Sequence, residues 1–460
     1  MHEEHHDPVN EYEREPVPEK ALLGLKSYVG QFAGEHVAGT ELMIGPLFLA
    51  SGVSAFDLLV GLFAGNLLAV LSWRFFTAPI ATRVRLTLYY QLEKICGRNL
   101  VTLYNLANGV MFMALAGAMM TVSATALGVW FQFPMPGLSD RLPTGVGWVV
   151  AVLVTGTLFS VVAAYGYRFV SRFANIAAPW MVLVFVTFAI VGLAQLGLKS
   201  PADFWQLAQT VIWKGGDPQP GQVKFTLWHV MFFAWFCNMA WHIGMADLSL
   251  FRFARKPSYG FASAAGMYIG HFMAWIASSI LYAVQLHQDP TNTAVLPGPL
   301  AYRACGLAGL LCVVAAGWTT ANPTLYRAGL AFQAIAPGSS RFRVTLITGL
   351  VASVTAVFPI VTTKLLGFVA LWGMILMPMG AVIFVDFWLL ERLGLRRNYA
   401  ESANTSVNWA AALTWLLTVC VCVAMIWGHE DRMFFVSLPG WGVAAGLYIV
   451  LSKLLQRRTA

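Results

Sequence analysis

Charge is what this sequence has least of. Of its 460 residues, 11% are Asp, Glu, Lys or Arg, against roughly a quarter in an ordinary soluble domain, so it cannot clothe a fully water-facing surface. Cysteine is sparse as well. The six residues Cys96, Cys237, Cys305, Cys312, Cys420 and Cys422 include no Cys-x-x-Cys pair, which argues against a thiolate zinc site or a redox motif and reads as small buried hydrophobes. Apart from His2-Glu3-Glu4-His5-His6 in its polar N-terminal stretch, the chain has no His-Glu-x-x-His, and it has no Gly-x-Ser-x-Gly, the spacings that would build a zinc protease or a nucleophile elbow. No soluble domain fits between its apolar stretches, because the longest connections, 129–145 and 198–224, are under 30 residues. Residues 1–24 are polar, with seven acids and three prolines but no apolar core of a secretory signal. They read as a disordered cytoplasmic tail. The cluster His2-Glu3-Glu4-His5-His6 could bind a metal by its residue types, but it lies in this polar tail and not in an apolar-periodic helix.

What remains is apolar. Hydrophobic residues make up 58% of the chain, and counting stretches of about 20 residues predicts twelve membrane crossings near 28–51, 55–79, 101–128, 146–165, 179–197, 225–247, 259–286, 302–322, 345–360, 365–390, 407–427 and 437–456. Lys and Arg collect on the cytoplasmic side of short loops. With the N-terminus inside, 22 of the 29 basic residues fall there, and Arg141, Lys199, Lys214, Lys224, Arg303, Lys364 and Arg432 are external. This asymmetry predicts an all-α, multi-pass protein of the cytoplasmic membrane with both termini inside. Its net charge of +8 follows from topology, and its macromolecular surroundings are the lipid bilayer and not a nucleic acid.

Several crossings are disturbed near their middles. The first contains Glu35, His36, Gly39, Thr40, Glu41, Gly45 and Pro46; the sixth contains Asn238, His242, Gly244 and Asp247; the eighth carries Gly317-Trp318-Thr319-Thr320-Ala321-Asn322-Pro323-Thr324-Leu325-Tyr326. Polar atoms and interrupted helices at membrane depth persist where they face a cavity, pair with one another or hold an ion. Broken first and sixth crossings, followed by a polar eighth, match two five-helix halves of inverted topology. The expected division is 25–200 for the first half, 201–400 for the second and 401–460 for two accessory helices. Behind Pro201, the spacing of Phe204, Trp205, Leu207, Ala208, Val211 and Ile212 suggests a short amphipathic helix at the outer interface or a covered loop.

Three ordered stretches resemble the purine/cytosine permeases of the nucleobase–cation symporter family. They are Gly52-Val53-Ser54 with Asp57, Gly65-Asn66-Leu67-Leu68, Leu86-Thr87 and Gly97; then Asp247-Leu248-Ser249-Leu250-Phe251-Arg252-Phe253-Ala254-Arg255; and then Trp318 to Tyr326. The resemblance spans roughly residues 30–340. It implies the ten-helix inverted repeat of the leucine transporter with two added helices, and cation-coupled uptake of nucleobases, hydantoins, allantoin or related small nitrogen compounds. The arginine of the second stretch is displaced by one position from the family pattern. The third crossing, Met111 to Met120, offers only Phe112 where nucleobase carriers place an aromatic opposite the sixth-helix tryptophan, which opens the door to another small amine or amide.

Site candidates follow from donor chemistry. Sodium needs about five or six hard oxygens: the hydroxyls of Thr319 and Thr320, a carbonyl one turn earlier from Ala315 or Ala316, and carbonyls of Ala38 and Glu41 beside the pliable Gly39. The competing reading has each threonine bonding the carbonyl four residues back. Glu41 is either a substrate ligand or proton carrier, or a partner for a freed backbone amide, because an unpaired charge at that depth costs several kcal/mol. Gly39, Thr40 and Glu41, with Phe112, Trp235, Asn238, Trp241 and His242, form the candidate substrate site, since a flat heterocycle suits an aromatic face and an amide. Trp235 and Trp241 flank Asn238 at helical spacing, as does His242. Asp247, Arg252 and Arg255 are expected to anchor the end of the sixth crossing, Asp386 to pair with Arg392 or Arg396, and His229 and His271 to be packing or water-facing residues. The function that emerges is symport of a small nitrogen-containing solute with sodium, or alternatively a proton. The rival classes are a channel or solute sensor on the same scaffold, and an intramembrane enzyme built on Glu35, Glu41 and the histidines.

Overall fold

The computed structural model describes residues 11–137, 139–363, 365–429 and 433–456. The His-rich cluster of residues 2–6 and the basic residues Lys364, Arg432, Arg457 and Arg458 lie outside them. The described chain is helical, and nine of its helices are long and apolar enough to cross a membrane. Three of the twelve expected crossings are not among those nine. The first and sixth are each two short helices, and the ninth is the 16-residue Arg341–Ala356.

The helices used below are α1 (Leu25–His36), α2 (Glu41–Ala50), α3 (Ala55–Val84), α4 (Leu88–Cys96), α5 (Arg98–Phe131), α6 (Val146–Ala164), α7 (Tyr167–Gln195), α8 (Leu227–Phe236), α9 (Leu248–Phe251), α10 (Pro257–Gln288), α11 (Pro297–Ile335), α12 (Arg341–Ala356), α13 (Leu365–Trp388), α14 (Trp409–Ile426) and α15 (Ser437–Leu455). Between α1 and α2 the chain unwinds through Val37–Thr40. Gly39 lets this unwound stretch lie directly against α5, because a Cβ there would stand 2.6 Å from Val122. The break between α8 and α9 is longer, covering 237–247 in successive turns, with Met245 at φ 63°. Pro201 does open a short helical segment running to Ile212, whose Ala208 and Ile212 are buried.

Small residues let the central helices approach closely, as they do where lipid supplies no hydrophobic drive between helices. A Cβ at Gly317 of α11 would collide with Ser123 of α5, and one at Gly270 of α10 would lie 2.6 Å from the His36 carbonyl oxygen. Residues 265–272 of α10 form a π-helical stretch, a form concentrated at functional sites. α11 is kinked at Cys305–Gly306, where Gly306 has φ 54°, and holds Pro323 in its interior. That proline removes the N–H that would otherwise bond the Thr319 carbonyl.

One face of this bundle is closed by residues 11–23. Val17 N–H donates to Arg85 O at 3.1 Å and Leu23 N–H to Phe253 O at 2.8 Å. Arg252 donates to Glu11 O (2.8 Å) and Tyr12 O (2.5 Å), while the Glu11 carboxylate accepts from Tyr167 N–H at 3.0 Å. Arg341 lies 3.3 Å from Glu13 and 3.9 Å from Glu11. The segment therefore straps the ends of α3, α7, α9 and α12 together, and part of the expected tail is ordered structure.

Candidate transport site

Beneath the strap lies a buried ion cluster drawn from the two broken crossings and the polar one. Arg327 of α11 donates to Glu35 of α1 at 2.6 and 3.2 Å and to Asp247 at 2.6 and 3.2 Å. Trp73 Nε1 donates to the other Asp247 oxygen at 2.6 Å, and Gln31 and Trp241 each donate to Glu35 at 3.3 Å. No atom of Arg327 or Asp247 reaches solvent appreciably. Multiple hydrogen bonds of this kind are what make a buried ion pair tolerable.

On the far side of this cluster a cavity of about 390 Å³ opens along α2 toward Gln219, Gln222, Thr293 and Val295. Its floor is formed by Glu35, His36, Ala38, Thr40 and Thr320, and its walls by Glu41, Asn238, Trp241, His271, Trp275 and apolar residues of α2 and α13. Among the described residues no lysine or arginine lines it. The Nδ2 of Asn238 has no protein partner. Trp275 Nε1 donates to Glu41, and His271 Nε2 stands 3.9 Å from the other oxygen of that carboxylate. Trp275 stacks on His271 with centroids 4.2 Å apart.

The predicted substrate residues divide in two. Thr40, Glu41, Asn238 and Trp241 meet at the cavity. Gly39 packs against α5 and α11, shaping the break without facing the space. Phe112 is fully buried behind Trp241, edge-on at 5.2 Å. Trp235 turns away, donating to Ser72 of α3 at 3.0 Å, and His242 is buried, bonded to Trp235 O at 2.8 Å and packed on Trp73. The reason is local: α8 ends at Phe236, so helical spacing does not carry from Trp235 through Asn238 to His242.

The predicted cation donors fall into two groups. Thr320 Oγ1, with one proton to share, stands 2.8 Å from Glu35 O across the helix gap and 3.0 Å from Ala316 O, the carbonyl four residues back that the competing reading gave it; Thr319 Oγ1 donates to Ala316 O at 3.2 Å and faces Met181 of α7. The Ala38 carbonyl accepts from Glu41 N–H at 3.1 Å and the Glu41 carbonyl from Ser278 at 2.7 Å. A donating hydroxyl keeps two lone pairs for a cation, and the Thr319 carbonyl lacks its helical donor. The Thr320 hydroxyl of α11 thus meets the Glu35 carbonyl of α1 at this junction, whereas the Ala38 and Glu41 carbonyls are bonded elsewhere. Among the described residues no three His, Cys, Asp or Glu side chains gather in a metal-binding group.

His271, expected to pack or face water, packs between Trp275 and His36 and forms part of the cavity wall. Its sequence signal was the pair Gly266 and Gly270, whose bare backbones seat His36. Asp386 pairs with neither Arg392 nor Arg396: it accepts from Asn398 N–H at 3.1 Å and from Tyr448 at 3.5 Å, because the chain after α13 turns back over the carboxylate. Arg252 does anchor the end of the sixth crossing, reaching Tyr326 and the strap.

Comparison with solved structures shows the same fold in membrane transporters. Mhp1, a nucleobase-cation-symport-1 family transporter solved in a closed conformation with bromovinylhydantoin bound, aligns over 97% of this chain and 96% of its own, with a TM-score of 0.73 and 15% identity. A Na+-coupled sialic acid symporter in a substrate-bound outward-open state aligns over 97% and 93%, with a TM-score of 0.68 and 15% identity. A manganese transporter of Eremococcus coleocola aligns over 96% and 98%, with a TM-score of 0.54 and 15% identity. No protein-family model and no curated protein sequence matches the chain. The fold is that of multi-pass membrane transporters.

Proposed function

We infer that the protein is a secondary active transporter that couples entry of a small nitrogen-containing solute to a cation. The observation that carries this reading is the cavity at the breaks of the first and sixth crossings, open on one side and sealed on the other by the strap and the Arg327 cluster. Discontinuous helices of this kind supply carbonyls, amides and hydroxyls to a solute near the bilayer midplane. Glu41 and the Asn238 side chain can accept and donate hydrogen bonds, and Trp241 and Trp275 offer aromatic faces. With carboxylates and no lysine or arginine among the described residues on its wall, the cavity suits a neutral N–H-rich heterocycle, a small amide or an amine, and disfavours an anionic solute. The positive-inside pattern supports a cytoplasmic strapped face and an outward-facing open cavity.

The cation's place in this reading is the α1–α11 junction, with Thr320, Thr319 and carbonyls of the first crossing as oxygen donors and sodium as the ion of choice. Cation and solute would then raise each other's affinity by about 1–3 kcal/mol. The test is thermal stabilisation of the purified protein by nucleobases, hydantoins and small amines, each in sodium and in potassium. Stabilisation by a nitrogen-containing solute, larger in sodium, is expected. Stabilisation by none of these compounds in either salt would overturn the solute class.

A further inference from the structure

We propose that the outer ends of α7, α10 and α11 form a binding site for a phosphate group, carried by an outer-leaflet phospholipid or dissolved in the external medium, with Arg303 as its cationic ligand. This site is separate from the transport cavity, with which it shares no lining residue, and its occupancy does not depend on the transport reading.

A cavity of about 230 Å³ lies where α10 and α11 part beside the end of α7. From α10 it receives Gln285 and Gln288, three positions apart and so on one helical face. Arg303 comes from the second turn of α11, and Gln195 is the last residue of α7. The polar side chains of the wall are therefore one guanidinium and three carboxamides, and among the described residues no carboxylate lines it. A set rich in N–H donors around a single positive charge selects an anion.

The guanidinium is positioned before any ligand arrives. Arg303 Nη1 donates to Gln285 Oε1 at 3.3 Å. Gln285 is buried, and its own amide nitrogen donates to Asn292 O and Ala294 O, each at 2.8 Å. Those two bonds settle which way the carboxamide faces, so its oxygen is the atom turned to Arg303. Of the five N–H donors of a guanidinium one is spent here, and the rest of the fork matches phosphate oxygens in spacing and charge. Gln195 and Gln288 are exposed and add amide donors from the other two helices. The cavity holds far more than a halide ion fills.

Its surroundings favour a lipid as the source. Past the kink at Cys305–Gly306, Leu307 and Leu311 of α11 are more than half exposed, as is Ile190 of α7. These residues lie on the membrane side of the cavity, where the acyl chains of a headgroup seated on Arg303 would run. Basic pockets between crossing helices take lipid headgroups in this way.

The test uses the full-length protein, purified in a neutral detergent and stripped of lipid, and reads its melting temperature against three probes. These are a short-chain phosphatidylglycerol, the neutral diacylglycerol of equal chain length, and inorganic phosphate at matched ionic strength. Saturable stabilisation by phosphatidylglycerol and none by diacylglycerol is expected, with the midpoint concentration raised about tenfold in Arg303→Gln. The double variant Gln195→Leu with Gln288→Leu keeps Arg303 and its bond to Gln285, and should also bind more weakly; it keeps the test readable if Arg303→Gln does not fold. Stabilisation by inorganic phosphate that Arg303→Gln removes supports the same site with a dissolved source. Equal stabilisation by the neutral lipid, no stabilisation by either phosphate probe, or a midpoint unchanged in either variant overturns the site.

Discussion

The two sides of the break in the first crossing show opposite solutions to a carboxylate at membrane depth. At the end of α1, Glu35 is bracketed by a guanidinium, a carboxamide and an indole, and its oxygen atoms are consumed. At the start of α2, only six residues on, Glu41 has one indole and a histidine at longer range and looks into open space. A fully bonded charge fixes structure, whereas an incompletely bonded one retains chemistry to exchange. The contrast assigns closure to the first carboxylate and ligand handling to the second.

The contrast can be broken most severely at Arg327. Arg327→Ala should cost about 3–5 kcal/mol by stranding two buried carboxylates, read as a large fall in the detergent melting temperature; an unchanged melting temperature would refute the structural role of the cluster. On the cavity side, Gly270→Ala should cost about 1–3 kcal/mol by pressing a Cβ on the His36 backbone, with the His271 region losing hydrogen-exchange protection. Thr320→Ala removes the hydroxyl that links α11 to Glu35 O, costing about 1 kcal/mol. It is expected to abolish sodium-dependent uptake in a protein that still elutes as a folded species. Retained sodium dependence would dismiss the junction as the cation site. The smallest effect is expected at the rim of the strap, where Arg14 donates to Glu93 at 2.6 and 2.9 Å but is more than a third exposed. The Glu93 hydrogen bond raises the Arg14 pKa above its usual value, yet Arg14→Ala should change stability by less than about 1 kcal/mol.

Much of this was legible in the chain itself. Glycine, proline and polar residues in otherwise apolar stretches marked the breaks near Gly39 and Asn238, and the paired threonines marked the meeting of α1 and α11. Side-chain direction beyond a break was not legible, because periodicity ends where the helix does; this is why Trp235 and His242 turn away while Trp241 reaches the cavity. Nor did sequence reveal the Arg327 cluster, whose members lie 292 and 80 positions apart. The cavity-facing direction of His271 was not legible for a related reason: it lies within a π-helical stretch, which departs from ordinary helical phase. The strap escaped notice because acids and prolines resemble a solvated tail until buried arginines elsewhere supply their partners.

The Arg327 cluster also sets a kinetic condition. With all three groups ionised it holds two anions against one cation, contributed by three different rods, so parting those rods exposes unlike charges to each other's loss before water can flood in. The sealed face should therefore open in one cooperative, strongly temperature-dependent event rather than by gradual loosening, and its frequency would bound how often cargo can leave.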